Sequence, residues 1–288
     1  MNSVDQATAN AFANSWNHLP QGSVYTRAQF EDWMAPLSRS DIEGRRVAEL
    51  GCGNGSLLVH CCAWNPAHMV GVDLGDSVIT AKQNSAGFPH VEIQQGDLVA
   101  YRSSGFDVVY CIGVLHHLKD PRKGFDSVLA NTLPGGRFHC WVYAREGNGI
   151  VVNVVDPIRK IASRLPWWVN KYLIATPLVA PYFVYAKLMR VVHAAMPSVA
   201  PRWLSWAPLR EYSLWIAQRG FGFFRHVAFD QLVTPQTVYI TRAQIEGWLR
   251  ECPGIEPGSD YIIMRNGNSW KFGARLQTIG TGQTPSAQ

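Results

Sequence analysis

Three carboxylates in the first half of the chain each stand at or beside the end of a short apolar run. Glu49 lies in Val47-Ala48-Glu49-Leu50-Gly51-Cys52-Gly53-Asn54-Gly55, Asp73 closes Met69-Val70-Gly71-Val72-Asp73, and Asp97 lies in Gln95-Gly96-Asp97-Leu98. Glycines at alternate positions after a strand let backbone approach a ligand closely and turn sharply into a helix, whose first N–H groups are free. A dinucleotide site uses that helix end for pyrophosphate and wants G-x-G-x-x-G. Here Ser56 stands where that pattern wants Gly or Ala, and Glu49 would sit badly beside a pyrophosphate. A cationic ligand without phosphate tolerates the carboxylate better. An acid placed like Asp73 can accept both hydroxyls of a ribose, with Leu74 beside it. One placed like Asp97, next to Leu98, can accept from an adenine amino group. Taken singly, Asp73 also reads as a surface-turn aspartate and Asp97 as an ordinary Gly-Asp turn.

The elements that must hold these residues follow from the spacing. Strands are expected at 47–50, 69–73, 91–94, 106–112 and 136–143, with helices at 56–64 and 77–83 between the first of them. Strand–helix alternation of this kind means βαβ units and a parallel sheet, and such sheets bind ligands at the carboxyl ends of their strands. Near the C-terminus, Thr241 caps a helix to Glu251. Arg265-Asn266-Gly267-Asn268 then separates two strand-like runs, a hairpin signal.

Two further motifs complete the series: Phe106-Asp107-Val108-Val109-Tyr110-Cys111-Ile112-Gly113-Val114-Leu115-His116-His117-Leu118, and Leu133-Pro134-Gly135-Gly136-Arg137. The five motifs in this order resemble the class I S-adenosylmethionine-dependent methyltransferases, and look closest to the broad group that includes the quinone-biosynthesis C-methyltransferases. The resemblance is strong over 45–145 and extends weakly to the last two strands. It implies an α/β fold: a Rossmann-like, mostly parallel seven-stranded sheet with a terminal antiparallel hairpin. It implies S-adenosyl-L-methionine as cofactor, with Gly51, Gly53 and Gly55 lining its methionine and ribose portions and Cys52 in the same loop. Glu49 would hold the amino end indirectly. Asp73 would take the ribose hydroxyls, Asp97 and Leu98 would flank the adenine, and Cys111 and Gly113 would offer backbone near the sulfonium; Leu74 and His116 are further cofactor-binding candidates. His116 and His117 are the candidate catalytic bases, since His titrates near neutral pH. The pair also belongs to the general family pattern whatever the substrate.

The rest of the chain is organised around this core. Residues 1–40 read as helices over the cofactor site, with Phe12, Trp16, Phe30, Trp33 and Met34 on apolar faces; 41–146 is the cofactor-binding core. Residues 147–225 break the rhythm and read as an inserted helical cap over the substrate. Residues 226–277 return to the sheet, and 278–288 form a Gly/Thr/Pro/Ser-rich disordered tail. Between 157 and 210 there are eight Lys or Arg and no Asp or Glu, against a net charge of +5 for all 288 residues. That predicts an electropositive wall, suited to an anionic acceptor or to peripheral contact with an anionic membrane. The fifteen charge-free residues Tyr172–Ala186 are short for a membrane span and are interrupted by Pro177 and Pro181. Phe221–Tyr239, with Phe223, Phe224, His226, Phe229, Asp230 and Tyr239, suits a substrate wall or the ordinary packing of a strand and loop.

The six cysteines form no C-x-x-C pair and read as reduced thiols of a cytoplasmic protein. No structural zinc or other metal is expected. The N-terminus lacks a basic region followed by an apolar run. The partner expected is a small-molecule acceptor; no motif points to nucleic acid, and nothing sets an oligomeric state. The competing functions are a nicotinamide-dependent oxidoreductase, disfavoured by Ser56, Glu49 and the 133–137 motif, and a non-catalytic methyltransferase-like, membrane-associated binding protein. The latter would carry a damaged cofactor motif, and none is visible.

Overall fold

The computed structural model describes residues 5–6, 8–10, 25–149, 151–162, 164–196, 207, 209–234 and 236–278. Phe12, Trp16, Trp203, Trp206, the side chain of Asp230 and the tail beyond Thr278 lie outside the described residues.

The apolar runs form β1 (Arg46–Leu50), β2 (His68–Asp73), β3 (Val91–Gln95), β4 (Phe106–Ile112) and β5 (Thr132–Tyr143), all parallel. Strand β5 begins four residues earlier than expected: Thr132 pairs with Phe106, and the Leu133–Gly136 turn bulges out before Arg137 pairs with Val108. Two C-terminal strands, β6 (Tyr261–Arg265) and β7 (Ser269–Arg275), form the expected hairpin, with positive φ at Asn266 and Gly267. The spatial order is β3-β2-β1-β4-β5-β7-β6. The last strand is therefore inserted, antiparallel, between β5 and β6. Strand order reverses between β1 and β4, which opens a crevice at their carboxyl ends.

Helices cover both faces, which is why β1, β2 and β4 are apolar on both sides. One face takes Phe125 and Val128 of α4 (Pro121–Ala130) and Ile245 and Leu249 of α9 (Arg242–Arg250) onto Val109, Phe138 and Phe272. The other takes Phe30 and Met34 of α1 (Arg27–Met34), Leu58 and Cys61 of α2 (Ser56–Cys62), and Ala81 of α3 (Ser77–Asn84) onto Val47, Met69 and Tyr110. Helix α9 starts at Thr241, whose hydroxyl accepts from Gln244 N while the Gln244 side chain accepts from Thr241 N, a capping box of about 1 kcal/mol.

The insertion is helical, with its own small cores. After Val151–Val155 come α5 (Asp156–Ala162), α6 (Thr176–Ala195), α7 (Arg210–Ala217) and α8 (Phe221–Val233). Val179 and Ala186 pack on Ile216, Ala217 and Phe224; Ala162 and Ala175 pack on Phe229 and Leu232. Three expectations need correcting. The helical cap does not stop at 225, because α8 runs to Val233. Residues 221–233 are therefore helix and not strand and loop, since their aromatics recur at helical spacing against α6. Nor do the prolines interrupt: Val169–Ala195 is continuous over 27 residues. Its first turns are π-helical, and Thr176 Oγ1 donates to Lys171 O near the missing proline donors.

Both ends of the cap are tied to the sheet. Asn148 Nδ2 donates to Ala144 O and Asn268 O, and on the return Ile240 N donates to Tyr143 O.

Candidate active site

A cavity of about 430 Å³ opens at the carboxyl ends of β1, β2, β4 and β5 and runs under the cap. Its two ends differ in chemistry. Asp5, Glu49, Asp73 and Asp97 line one end. Val155, Tyr182, Tyr212, Phe223, Phe224 and Val227 of the cap line the other. Arg265 is the one cation among the described lining residues, and it pairs with Asp32.

At the acidic end the glycine loop is shaped as the sequence demands. Gly51 has φ +85°, and a Cβ there would lie 2.3 Å from Val114 Cγ2, so only glycine keeps this approach open. Asp73 holds the loop: its carboxylate accepts from Gly53 N (2.9 Å), Gly75 N (2.9 Å) and Ser77 Oγ (3.2 Å). The strand-end acid thus has a structural task besides any ribose contact. Desolvation raises its pKa, and these hydrogen bonds oppose the rise. Glu49 is buried and accepts from Tyr110 Oη at 3.0 Å. Burial pushes its carboxyl well above the usual range; the Tyr110 hydrogen bond works against that, and nearby Asp73 adds to it. Asp97 accepts from Val99 N at 2.9 Å. Cys52, Gly53, Leu74, Leu98 and Gly113 line the same end. Burial raises the Cys52 thiol well above its ordinary value, which makes it an inert wall.

Three expected site residues lie elsewhere. Gly55 is not on the cavity wall. It caps α2 with φ +76°, and a Cβ would come 3.2 Å from Ala81 Cα of α3, so this glycine serves helix packing. Cys111 is buried in the core between β4 and its neighbours, and the wall there is Ile112 and Gly113 instead. The His116 ring is fully buried behind the wall, with Nδ1 accepting from Tyr143 N at 3.4 Å. Burial holds its pKa well below 6.5, so it is neutral and inaccessible.

His117 does reach the cavity. Its Nδ1 lies 3.1 Å from Gln236 O, which places the proton on Nδ1, and burial lowers its pKa to about 4. A ring that weakly basic is suited to holding the returning chain at 236–238, where His116 O also accepts from Val238 N. The wall residues that sequence reasoning missed include the aromatics Trp141, Tyr143 and Tyr212. Trp33 stacks on Trp141 with centroids 5.3 Å apart. Trp141 and Tyr143 alternate along the end of β5, and that period of two was the available signal.

The electropositive wall is also corrected. The cap residues that line the cavity carry no charge among those described. Lys160, Arg164, Lys187 and Arg190 are exposed on the outside. Arg159 is buried and paired with Asp156, so it is a structural cation and not a surface one.

Glu49 and Asp73, buried or half-buried and without a cationic partner among the described residues, stand beside a glycine cradle that a Cβ would fill; this suits a cationic ligand and opposes a pyrophosphate. Comparison with known proteins agrees. Residues 48–138 match the family described as a methyltransferase domain. An uncharacterized protein of Synechococcus sp. is 31% identical over 140 residues, covering 44% of this chain and 34% of its own. The ubiquinone biosynthesis O-methyltransferase of Coxiella burnetii is 28% identical over 127 residues, covering 40% and 54%. The chain thus spans between a third and about half the length of these curated relatives. The solved magnesium protoporphyrin IX methyltransferase of Synechocystis with bound S-adenosylhomocysteine is 13% identical, covers 87% of this chain and 83% of its own, and superposes with a TM-score of 0.48. Residues 48–138, which carry the glycine loop, Asp73 and Asp97, thus match a methyltransferase domain, and the cofactor of that family is S-adenosylmethionine.

Proposed function

We propose that the chain transfers a methyl group from S-adenosylmethionine to a small, apolar or amphipathic acceptor held between the sheet and the cap. One observation carries this reading: a single cavity joins the carboxylate end at Glu49 and Asp73 to an uncharged aromatic end made by the cap. Of the cap's described residues, those facing the acceptor have no charge to offer, which supports an apolar ligand.

When bound, S-adenosylmethionine supplies an electrophilic methyl on a sulfonium. The chain's own residues bind, orient and exclude water. Glu49 and Asp73 supply negative charge for the cationic ligand, Asp73 also fixing the Gly53 backbone, and Asp97 with Leu98 bounds the adenine side. The cap encloses the acceptor against Trp141 and Tyr143. Such alignment contributes roughly 7–11 kcal/mol to rate acceleration. With His116 out of reach and His117 a weak base, the geometry favours an acceptor atom already nucleophilic at neutral pH. The six buried, free cysteines support work in a reducing, cytoplasmic setting. The exposed basic side of the cap supports a peripheral place at a membrane surface.

Calorimetric titration with S-adenosylhomocysteine and, separately, NAD tests the cofactor. Binding of the first alone is expected; tight binding of NAD would replace this reading by an oxidoreductase. Labelled-methyl transfer to a panel of apolar and anionic acceptors tests the acceptor class, with turnover restricted to anionic ones as the opposing result.

A further inference from the structure

The helix Val169–Ala195 has two faces with different partners. Val179, Ala186 and Met189 are buried, the first two among α7 and α8, and Leu178, Val179 and Tyr182 line the cavity. On the opposite side Leu173, Val184, Leu188 and Val191 are 57–63% exposed. At 100° per residue Val184, Leu188 and Val191, in the α-helical part, fall within an arc of about 60°. Exposed Pro177 and Pro181 continue the strip. At its N-terminal end stand Ile161, Leu165, Trp167, Trp168 and Tyr172, all exposed. Scattered exposed apolar residues are ordinary, but a continuous strip with two adjacent exposed tryptophans marks an interaction surface.

Charge identifies what covers it. Lys160, Arg164, Lys187 and Arg190 are exposed along the same segment, and residues 157–196 contain no Asp or Glu. An apolar strip flanked only by cations, with tryptophans at one end, complements an anionic lipid surface. The helix is long and apolar enough to cross a membrane, yet it is bound on its other side. Lys187 Nζ and Arg190 Nη1 both donate to Ala217 O at the C-terminus of α7, at 2.8 and 3.0 Å. Crossing would strip those bonds and expose Val179 and Ala186.

We propose that the face running from Ile161 to Met196 lies on an anionic lipid bilayer, peripherally, with Trp167, Trp168, Leu188 and Val191 in the headgroup layer. The acceptor cavity is then one helix diameter, about 10 Å, from the lipid. The partner is a lipid surface, and the acceptor is an amphiphile drawn from it. This last point rests on the proposed methyl transfer to an apolar acceptor.

The test is flotation of the full chain with vesicles of phosphatidylcholine alone and of equal parts phosphatidylcholine and phosphatidylglycerol. Flotation with the anionic vesicles is expected, weakened by salt, with a blue shift in tryptophan emission. Leu188→Glu/Val191→Glu should reduce partition roughly tenfold or more, and Lys160→Glu/Arg164→Glu should remove the preference for anionic lipid. Both variants should bind S-adenosylhomocysteine within about twofold of the parent, which shows that they fold. Three results overturn the proposal. In the first, the parent and Leu188→Glu/Val191→Glu partition equally. In the second, the parent is a dimer that this variant dissolves, which makes the face a contact between copies. In the third, the protein resists carbonate extraction from membranes, which makes the helix a span. Absence of S-adenosylhomocysteine binding by the parent would defeat the methyltransferase reading alone and leave the flotation result standing.

Discussion

The crevice at the carboxyl ends of the strands and the cap over it are built by different rules. In the crevice each functional group is fixed by backbone: Gly51 by its φ and by Val114, Asp73 by two N–H donors, Asp97 by Val99 N. In the cap, aromatic packing does most of the work. Tyr182, Phe183 and Tyr212 crowd around Phe224, and a substitution can be absorbed by repacking. The first design tolerates almost no change of residue type. The second specifies only size and apolarity, so it can vary without disturbing the crevice.

That contrast can be broken most sharply at Gly51. Gly51→Val should cost more than about 3 kcal/mol of cofactor affinity, roughly a hundredfold or more, through the clash with Val114. Calorimetry measures it, and circular dichroism should remain α/β. On the other side, Phe224→Ala should destabilise the cap core by about 3–5 kcal/mol. Cofactor affinity should stay within about twofold; a large loss would mean the two regions are one cooperative unit. Asp73→Asn should weaken cofactor binding by about 1.5–3 kcal/mol and, unlike a surface acid, raise amide exchange at Gly53 and Gly75.

Smaller effects come with pH. Glu49 holds its proton above the usual carboxylate range in the free protein, while a cationic ligand favours the anion. Affinity for S-adenosylmethionine should therefore rise with pH up to that raised value, and Glu49→Gln should flatten the profile. His117 and His139 have the opposite linkage to stability. Their folded pKa values, about 4, lie below the unfolded 6.5. Between those values the unfolded chain binds more protons, so stability falls as pH drops from 6.5 towards 4. His117→Gln should reduce that slope by about one proton in urea titrations at stepped pH.

Much of the crevice was legible because its requirements are local. A glycine before a helix, or an acid at a strand end, must appear in the sequence at fixed spacing. Gly55 and Cys111 were misplaced for a related reason: a motif shows that a residue is constrained but not by what, and here the constraint is Ala81 in one case and the sheet core in the other. The cap was legible only as composition. Its apolar and basic residues were counted together, whereas the three-dimensional helix sorts them, Leu178, Val179 and Tyr182 to the cavity and Leu188, Val191, Lys187 and Arg190 outward. Arg159, buried against Asp156, shows how little a charge count says about direction.

The seating of β7 between β5 and β6 has a consequence in time. During synthesis the glycine loop, Asp73 and Asp97 emerge with β1 to β5. The right-hand half of the sheet cannot close until Arg275 has been made, after the whole cap. Until then β5 presents an unpaired edge, and the cap helices, local in their contacts, must assemble without the finished sheet to lean on. A nascent chain in this state displays its most apolar helix before its sheet is complete, so the order of the strands sets the order in which the molecule meets its surroundings.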